Sequence, residues 1–338
     1  MTEKTDSLLR ISVVVCARDR PNDLAELLYT LLNQTCSPFE VVVVDDSSSS
    51  RVREVVQSFQ PMFEDIEIKC VRGNYDGLPA ARNLGVKVSR GDAVLFLDDD
   101  TLLRENVLCA FTTFFNTHPT AVGVQGQICK SGTESSSDMK RKIKNAVHKA
   151  LMLFYYEQNK LAVRRSGTSI FPYSYPLTST INAQRLDGCC MCYRAELLEE
   201  MSFDTNLKRW AFLEDLDFSY RTYKKNLGSM HAIPSAVIAH KKSAKSRLSS
   251  RERVYMKTVY WFYVFFKDVL EGSILNLIAF LWALTGNLAT TVGGVIAKRK
   301  RTRVRELAYL IGSYFYAFRH LRGIKRRNLA FFNKRLEG

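Results

Sequence analysis

The chain has 338 residues, of which 46% are hydrophobic and 25% are charged. This composition is typical of a folded globular protein and excludes a disordered one, and the length suffices for one large domain or two smaller ones. The first ten residues, MTEKTDSLLR, contain no apolar run, so we expect no cleaved signal peptide.

The net charge of +15 is concentrated toward the C-terminal end. From Lys241 onward there are 21 Lys and Arg residues against 5 Asp and Glu, whereas the first 240 residues hold 28 basic and 29 acidic groups. A basic segment of this kind suits an anionic membrane surface or a nucleic acid.

Eight cysteines are scattered through the chain. Their density is too low for a disulfide scaffold, and no CxxC pair with matching histidines is present. We therefore expect small buried thiols in a reducing compartment. A metal site at the cluster of Cys189, Cys190 and Cys192 is the less favoured alternative.

Strands alternate with helices over the first hundred residues. In chain order the pattern predicts a strand at 11–16, a helix from Pro21, a strand at 39–46, a helix at 51–60, a strand at 66–71, a helix at 80–88 and a strand at 92–97. Alternation of this kind predicts right-handed βαβ units and a parallel sheet, in which ligands collect at the carboxyl ends of strands.

Three consecutive aspartates, Asp98, Asp99 and Asp100, follow the last of these strands. In an extended segment, residues 98 and 100 project the same way, and two hard oxygen ligands on one face suit Mg²⁺ or Mn²⁺. The alternative is that they cap a helix beginning near Leu102. Three charges in a row after an apolar strand favour the metal.

Two further acidic clusters are ambiguous when taken alone. Asp45 and Asp46 end the strand at 39–46, where they either form part of a site or serve as turn and cap residues. Glu214, Asp215 and Asp217 lie in the first part of a predicted helix, where acidic residues often serve only as partners of the helix dipole.

Taken together and in order, several segments resemble the family 2 inverting glycosyltransferases over residues 10–242. The matching segments are ISVVVCARDRP, VVVVDDSS, GLPAARNLG, FLDDDT, DGCCMCYRAEL and FLEDLDFSYR. The resemblance implies the α/β GT-A fold of nucleotide-diphospho-sugar transferases, with a mixed, mostly parallel sheet between helices. Residues 1–118 would form its nucleotide-sugar-binding half, residues 119–242 its acceptor-binding and catalytic half, and residues 243–338 a helical membrane-association region.

The same resemblance implies roles for individual residues. Asp215 would be the general base beside Glu214, and the metal ligands would be Asp100, Asp98 and His240, with Mg²⁺ or Mn²⁺ as the cofactor. The nucleotide sugar would contact Cys16, Arg18, Asp46, Arg82, Asp98, Asp99, Asp187 and Gly188. Two departures from the family pattern leave the sugar and the base open, namely the cysteines at 189, 190 and 192 and the Arg-Asp-Arg run at 18–20.

Residues 272–297 form a segment without charged side chains, and this segment is long enough to cross a bilayer. Dense Lys and Arg on both flanks give no clean orientation for a single span, so a peripheral or re-entrant arrangement at the cytoplasmic face of the cell membrane fits better. We therefore expect a membrane surface and a lipid-linked or glycan acceptor as partners, and no nucleic acid. A soluble helical subdomain remains the alternative.

Two other functions stay open from the sequence. A sugar-1-phosphate nucleotidyltransferase would use a similar fold and metal, although the segment CARDRPND lacks the glycines of its phosphate loop. A non-enzymatic nucleic-acid-binding protein would have basic residues interleaved on a folded groove, whereas here they flank an uncharged stretch.

Overall fold

Nine strands form the main sheet of the computed structural model, which describes residues 9–130, 138–172, 175–241, 243 and 248–337. The strands are β1 Ile11–Ala17, β2 Glu40–Asp45, β3 Glu67–Arg72, β4 Ala93–Asp98, β5 Thr101–Leu103, β6 Gly123–Lys130, β10 Ile181–Asn182, β11 Cys190–Arg194 and β12 Met230–His240. Their order in the sheet is β10-β12-β6-β11-β4-β1-β2-β3, and β5 pairs with β12. A small second sheet joins β7 Tyr155–Tyr156, β8 Ala162–Val163 and β9 Ser169–Phe171.

Helices cover both faces of the main sheet and form the C-terminal end of the chain. They are α1 Pro21–Leu32, α2 Arg51–Phe59, α3 Leu78–Val88, α4 Val107–Thr117, α5 Asp138–Ala150, α6 Ala195–Glu200, α7 Glu214–Lys225, α8 Ser250–Val264, α9 Ile274–Lys298, α10 Arg301–Arg319, α11 Leu321–Lys325 and α12 Ala330–Glu337. A short 3-10 turn follows α2 and a π-helical turn follows α8.

The sheet is parallel in its first half and mixed in its second. Strands β4, β1, β2 and β3 run parallel to one another, and β11 pairs antiparallel with β4. The valine-rich strands β1 and β2 are buried on both faces, because helices cover both sides. Such strands read as continuous apolar runs in sequence, which is why their positions could be predicted.

The alternative reading of the aspartates, as caps of a helix beginning near Leu102, is wrong. Residues 101–103 form β5, which pairs with the end of β12, and α4 begins only at Val107. Asp98, Asp99 and Asp100 therefore cap no helix. The sequence could not show this, because the pairing partner of β5 lies more than 130 residues later in the chain.

One cysteine pair departs from the expectation of free thiols. Cys36 and Cys109 form a disulfide between the loop after α1 and helix α4, although 73 residues separate them. The other six cysteines are free, and Cys189, Cys190 and Cys192 are buried in the core around β11. Burial raises the pKa of the Cys190 thiol to about 12, so these side chains pack as small apolar groups.

The C-terminal helices share an apolar core with the segment that precedes α7. Leu207, Ala211 and Leu216 pack in one cluster with aromatic side chains of α8, including Tyr260 and Phe262. The Tyr260 hydroxyl also accepts a hydrogen bond from the Lys208 amide at 2.9 Å. The C-terminal helices are therefore joined directly to the chain leading into α7. The domain division expected from the sequence stays a prediction.

Candidate functional site

Strand ends bring together three side chains of the types that bind metal ions. Asp98 ends β4, and His240 ends β12 opposite Thr101 of β5, which follows Asp100 directly. One carboxylate oxygen from each aspartate and one imidazole nitrogen of His240 lie within 4.8 Å of one another. This set is the only such His, Cys, Asp and Glu cluster found among the described residues. Its two hard oxygens and one imidazole fit a divalent cation.

Asp100 is the most firmly held member of this cluster. Its carboxylate lies 3.2 Å from His240 Nε2 and accepts the Ser243 amide at 2.8 Å. Burial alone would raise the pKa of Asp100, but these two partners hold it below its usual value. Burial alone would lower the pKa of His240, yet the hydrogen bond to Asp100 and the charge of Asp98 raise it.

Arg20 pairs with the carboxylates of Asp99 and Asp100. Its guanidinium donates to Asp99 Oδ1 at 2.9 Å and lies 3.6 Å from Asp100 Oδ2. Asp99 is almost fully buried, and burial raises its pKa to about 7 although Arg20 opposes the shift. Asp99 thus faces Arg20 and lies outside the three-ligand cluster.

Arg82 of α3 is the buried cation at the centre of the site. It pairs with Glu214 Oε1, donates to the Gly188 carbonyl at 2.9 Å and lies 3.4 Å from Asp98 Oδ1. Burial alone would lower the pKa of Arg82, but the charges of Glu214 and Asp98 raise it. Burial raises the pKa of Glu214 to about 8, and its Oε2 has no hydrogen-bond partner among the described residues.

Asp215, next to Glu214 at the start of α7, is more accessible. Its side chain is 17% exposed, against 6% for Glu214. Its Oδ2 pairs with Arg185 and accepts the Gly188 amide at 3.1 Å. Its Oδ1 accepts the Leu216 amide at 2.7 Å. The carboxylate is therefore oriented from two sides while one part of it stays open to solvent.

Gly188 lets these groups come close together. A Cβ atom there would lie 3.0 Å from Arg82 Nη2, 3.1 Å from Glu214 Oε1 and 3.3 Å from Asp215 Cβ. All three distances are tighter than ordinary van der Waals contact, so any larger residue would displace members of the charged cluster. Asp187, the preceding residue, accepts the Cys189 amide at 3.3 Å and is fixed through its own amide by Gln125.

The ends of β1 and β2 form the neighbouring part of the same edge. Cys16 lies beside Asp98 in the register of β1 and β4, and burial raises its pKa to about 12. Asp46 accepts the Tyr75 amide at 2.8 Å, and burial raises its pKa while Arg18 opposes the shift. Arg18 stacks on Trp210 with 5.4 Å to the ring centroid.

The geometry thus gathers the residues expected from the sequence along one edge of the sheet, from β2 through β1 and β4 to β12. The model for "Glycosyl transferase family 2" matches residues 12–201, which is more than half of the chain. The chain belongs to glycosyl transferase family 2. The family and the mixed α/β sheet confirm the resemblance and the GT-A fold expected from the sequence.

Curated relatives match only over part of their length. Glycosyltransferase GlyG of Streptococcus pneumoniae is 30% identical over 99 residues, covering 29% of this chain and 32% of GlyG. A glucosyl-dolichyl phosphate glucuronosyltransferase of Haloferax volcanii is 28% identical over 122 residues, covering 36% of this chain and 38% of that enzyme. The chain thus spans about a third of the length of these two relatives.

Solved structures show the same fold over nearly the whole chain. TarS of S. aureus, residues 1–349 in complex with UDP-GlcNAc, aligns with a TM-score of 0.57 and 18% identity, covering 90% of this chain and 79% of that one. The mannosyltransferase PcManGT of Pyrobaculum calidifontis, in complex with GDP-Man and Mn²⁺, aligns with a TM-score of 0.53 and 19% identity, covering 93% and 88%.

Two residues of the site were missed by sequence reasoning. Arg20 belongs to the run at 18–20, which in the sequence stands out only as a departure from the family pattern. Arg185 lies two residues before Asp187, and its side chain is 4% exposed beside Asp215. A basic residue just ahead of the predicted Asp-Gly segment was the available signal, but nothing in the sequence relates it to α7.

Proposed function

We propose that the chain transfers a sugar from a nucleotide-diphosphate donor to a hydroxyl acceptor by metal-assisted direct displacement, with inversion at the anomeric carbon. The observation that carries this proposal is the convergence of Asp98, Asp100 and His240 at one end of an edge that also holds Asp215. A metal cluster and an accessible, oriented carboxylate in one site are what this chemistry needs.

The metal ligands would be Asp98, Asp100 and His240, and we propose Mg²⁺ or Mn²⁺ as the ion. When bound, the ion would offset the negative charge that grows on the departing diphosphate. The structure of PcManGT contains Mn²⁺ together with GDP-Man, which supports an ion of this class. Arg20, held 2.9 Å from Asp99, would fix the aspartate run from the side away from His240.

The donor would lie along the ends of β1 and β2. Cys16, Arg18 and Asp46 would bound the base, and the segment of Asp187 and Gly188 would line the sugar pocket. Asp99 would contact the ribose side of the nucleotide, and Arg82 the base or phosphates. The structure of TarS with UDP-GlcNAc supports a nucleotide sugar as the donor, without fixing the base or sugar for this chain.

Asp215 would act as the general base and Glu214 would position Arg82. Asp215 is the more exposed of the two, whereas Glu214 is buried against the Arg82 guanidinium. The base would take the proton of the acceptor hydroxyl while that oxygen attacks the anomeric carbon. One base and one displacement invert the configuration, and no covalent intermediate forms.

A membrane-bound acceptor is the second part of the proposal. Within the described residues one helix segment, Ile274–Ala297, is long and apolar enough to cross a membrane, judged by length and composition alone. One face of this helix packs on the protein, where Phe280 stacks on Phe265 at 4.0 Å between ring centroids. The opposite face exposes apolar side chains, including Ile274, Leu275, Ile278, Leu281 and Trp282.

A helix with one packed and one exposed apolar face suits an in-plane position at the lipid interface. The exposed apolar residues of α5, namely Met139, Ile143 and Val147, follow helical spacing and alternate with basic residues. Trp282 of α9 donates a hydrogen bond to the Ala150 carbonyl at the end of α5, so the two surfaces adjoin. We propose attachment at the cytoplasmic face of the cell membrane and a lipid-linked or cell-surface glycan as acceptor.

The donor chemistry is tested by measuring nucleotide-diphosphate release from a panel of UDP- and GDP-sugars with Mn²⁺, with Mg²⁺ or with EDTA. We expect metal-dependent turnover of at least one donor and a decrease of about 10²–10⁴-fold in Asp215→Asn. Asp92→Asn, which removes a carboxylate from the exposed pair with Arg10 at the start of β4, is the matched control. Absence of turnover with every donor, or wild-type turnover by Asp215→Asn, would contradict the proposal.

A further inference from the structure

A second polar cleft lies among the C-terminal helices, away from the metal cluster. It has a volume of about 330 Å³ and opens between the first half of α8, the second half of α9 and the first half of α10. Its lining includes three basic side chains and several hydroxyl and amide groups, among them Arg253, Lys257, Arg303, Thr290, Thr291 and Asn287. The Thr290 and Thr291 hydroxyls donate to carbonyls of α9. The Asn287 amide donates to the Tyr314 hydroxyl of α10. The three basic side chains are therefore the groups that this lining offers to an anion.

The positive charges of this cleft are not balanced by its carboxylates. Glu306 is the one acidic residue in the lining, and it pairs with Arg303 at 2.9 Å. Among the residues that the structure describes, no carboxylate lies within ion-pair distance of Arg253 or Lys257. Two cations therefore face the cleft without an acidic partner.

One helix end adds to this positive potential. Arg303, the third residue of α10, lines the cleft, and the first turn of α10 has neither a capping side chain nor an acidic residue. The N-terminal end of a helix carries a partial positive charge, so this turn favours an anion here. The first turn of α8 is instead capped by Ser249 and the Glu252 carboxylate.

Lys257 lies in surroundings that disfavour its charged form. Its side chain is exposed within the concave cleft, yet the surrounding protein desolvates its ammonium group. This desolvation lowers the pKa of Lys257, and the neighbouring charge of Arg253 lowers it further. A bound anion would oppose the lowering of the pKa by stabilising the charged ammonium group.

The cleft also contacts the chain that leads into α7. The Lys257 ammonium lies over the ring of Phe212, 4.4 Å from its centroid. Phe212 precedes Leu213, whose left-handed backbone at φ 71° begins the turn into Glu214 and Asp215. Ala211 has a positive φ as well, so this short connection is held in a backbone geometry that most residues disfavour.

We propose that this cleft binds a phosphate group, with Arg253 and Lys257 as its principal ligands and Arg303 as a third. The phosphate is either that of a membrane lipid headgroup or that of a free phosphate ion or diphosphate. The lipid source rests on the membrane attachment proposed above, whereas the site itself depends only on the charges and the cleft. A phosphate bound here contacts Lys257, which packs against Phe212 close to the start of α7.

The test uses the full-length chain in EDTA, so that the metal cluster does not contribute. Binding of inorganic phosphate and of pyrophosphate is measured by titration calorimetry, and binding to vesicles of phosphatidylcholine with or without phosphatidic acid by flotation. The test variant is Arg253→Gln with Lys257→Gln. The control is Arg251→Gln with Arg305→Gln, which removes the same charge from exposed positions of α8 and α10 outside the cleft lining.

We expect the cleft variant to lose about tenfold in affinity for each cation removed, and the control to change by at most about threefold. Loss confined to phosphate and pyrophosphate identifies the free ion as ligand, and loss of phosphatidic acid binding identifies the lipid headgroup. Equal loss in the control, or unchanged binding of all probes by the cleft variant, overturns the proposal.

Thermal unfolding of each variant checks that the fold is retained. If the double variant does not fold, Lys257→Gln alone gives the same comparison, because its side chain is exposed. Release of nucleotide diphosphate without acceptor should be unchanged in the cleft variant, so failure of the cleft proposal and failure of the proposed transferase function are separate results.

Discussion

Replacing Gly188 by alanine tests whether close approach of the backbone sets the geometry of the charged cluster between the end of β4 and the start of α7. The added Cβ would lie 3.0 Å from Arg82 Nη2 and 3.1 Å from Glu214 Oε1. Both groups must therefore move by a few tenths of an ångström. Arg82 also holds the Gly188 carbonyl and lies near Asp98, so the shift would reach the proposed metal ligands as well as Asp215.

Misplacement by 1 Å in an active site can cost about 10²-fold in rate, so a shift of a few tenths predicts a decrease of about tenfold in kcat, or about 1.4 kcal/mol. Overpacking should also lower the free energy of unfolding by about 1–3 kcal/mol. The assay is initial-rate kinetics with a turned-over donor at 25 °C, combined with urea unfolding.

Gly293→Ala on α9 is the matched control, because nothing lies within 4 Å of a Cβ placed there. In a helix interior this change should leave kcat unchanged and stabilise by about 1 kcal/mol. A Gly188→Ala enzyme with wild-type kcat would refute the argument that this glycine sets the geometry of the site.

Three further outcomes are expected. His240→Ala should weaken Mn²⁺ binding, measured by electron paramagnetic resonance. In the wild type, Mn²⁺ affinity should fall as the pH drops through the pKa of His240, because a protonated imidazole cannot bind metal. The hydrogen bond to Asp100 raises this pKa. A pH-independent affinity would argue against His240 as a ligand. Arg185→Lys should lower kcat more than it changes the KM for donor, because Arg185 orients Asp215; a change in KM alone would contradict that role. Ile278→Asp should reduce flotation with anionic vesicles, and unchanged flotation would contradict the in-plane surface on α9.

Much of the fold of the first hundred residues could be predicted from the sequence because its signals are local. The apolar runs that became β1, β2 and β4 needed no partner information, and the parallel order followed from alternating strands and helices. Asp98 and Asp100 could be assigned to a strand end for the same reason.

The rest depended on contacts between distant segments. His240 joins the aspartates only because β12 pairs with β5, and no periodicity reveals that pairing. Arg185 reaches Asp215 across 30 residues, and Cys36 meets Cys109 across 73. The basic cleft forms only because three helices are adjacent in space. Counting charges along the chain shows an excess of basic residues but not this adjacency.

The configuration of the product tests the account most directly. With a turned-over donor and its acceptor, proton NMR during the reaction gives the anomeric configuration before it can equilibrate. A single displacement assisted by Asp215 predicts a product of inverted configuration, formed only with a divalent ion and lost in Asp215→Asn. A product that retains the donor's configuration, or one formed equally well by Asp215→Asn, would contradict it.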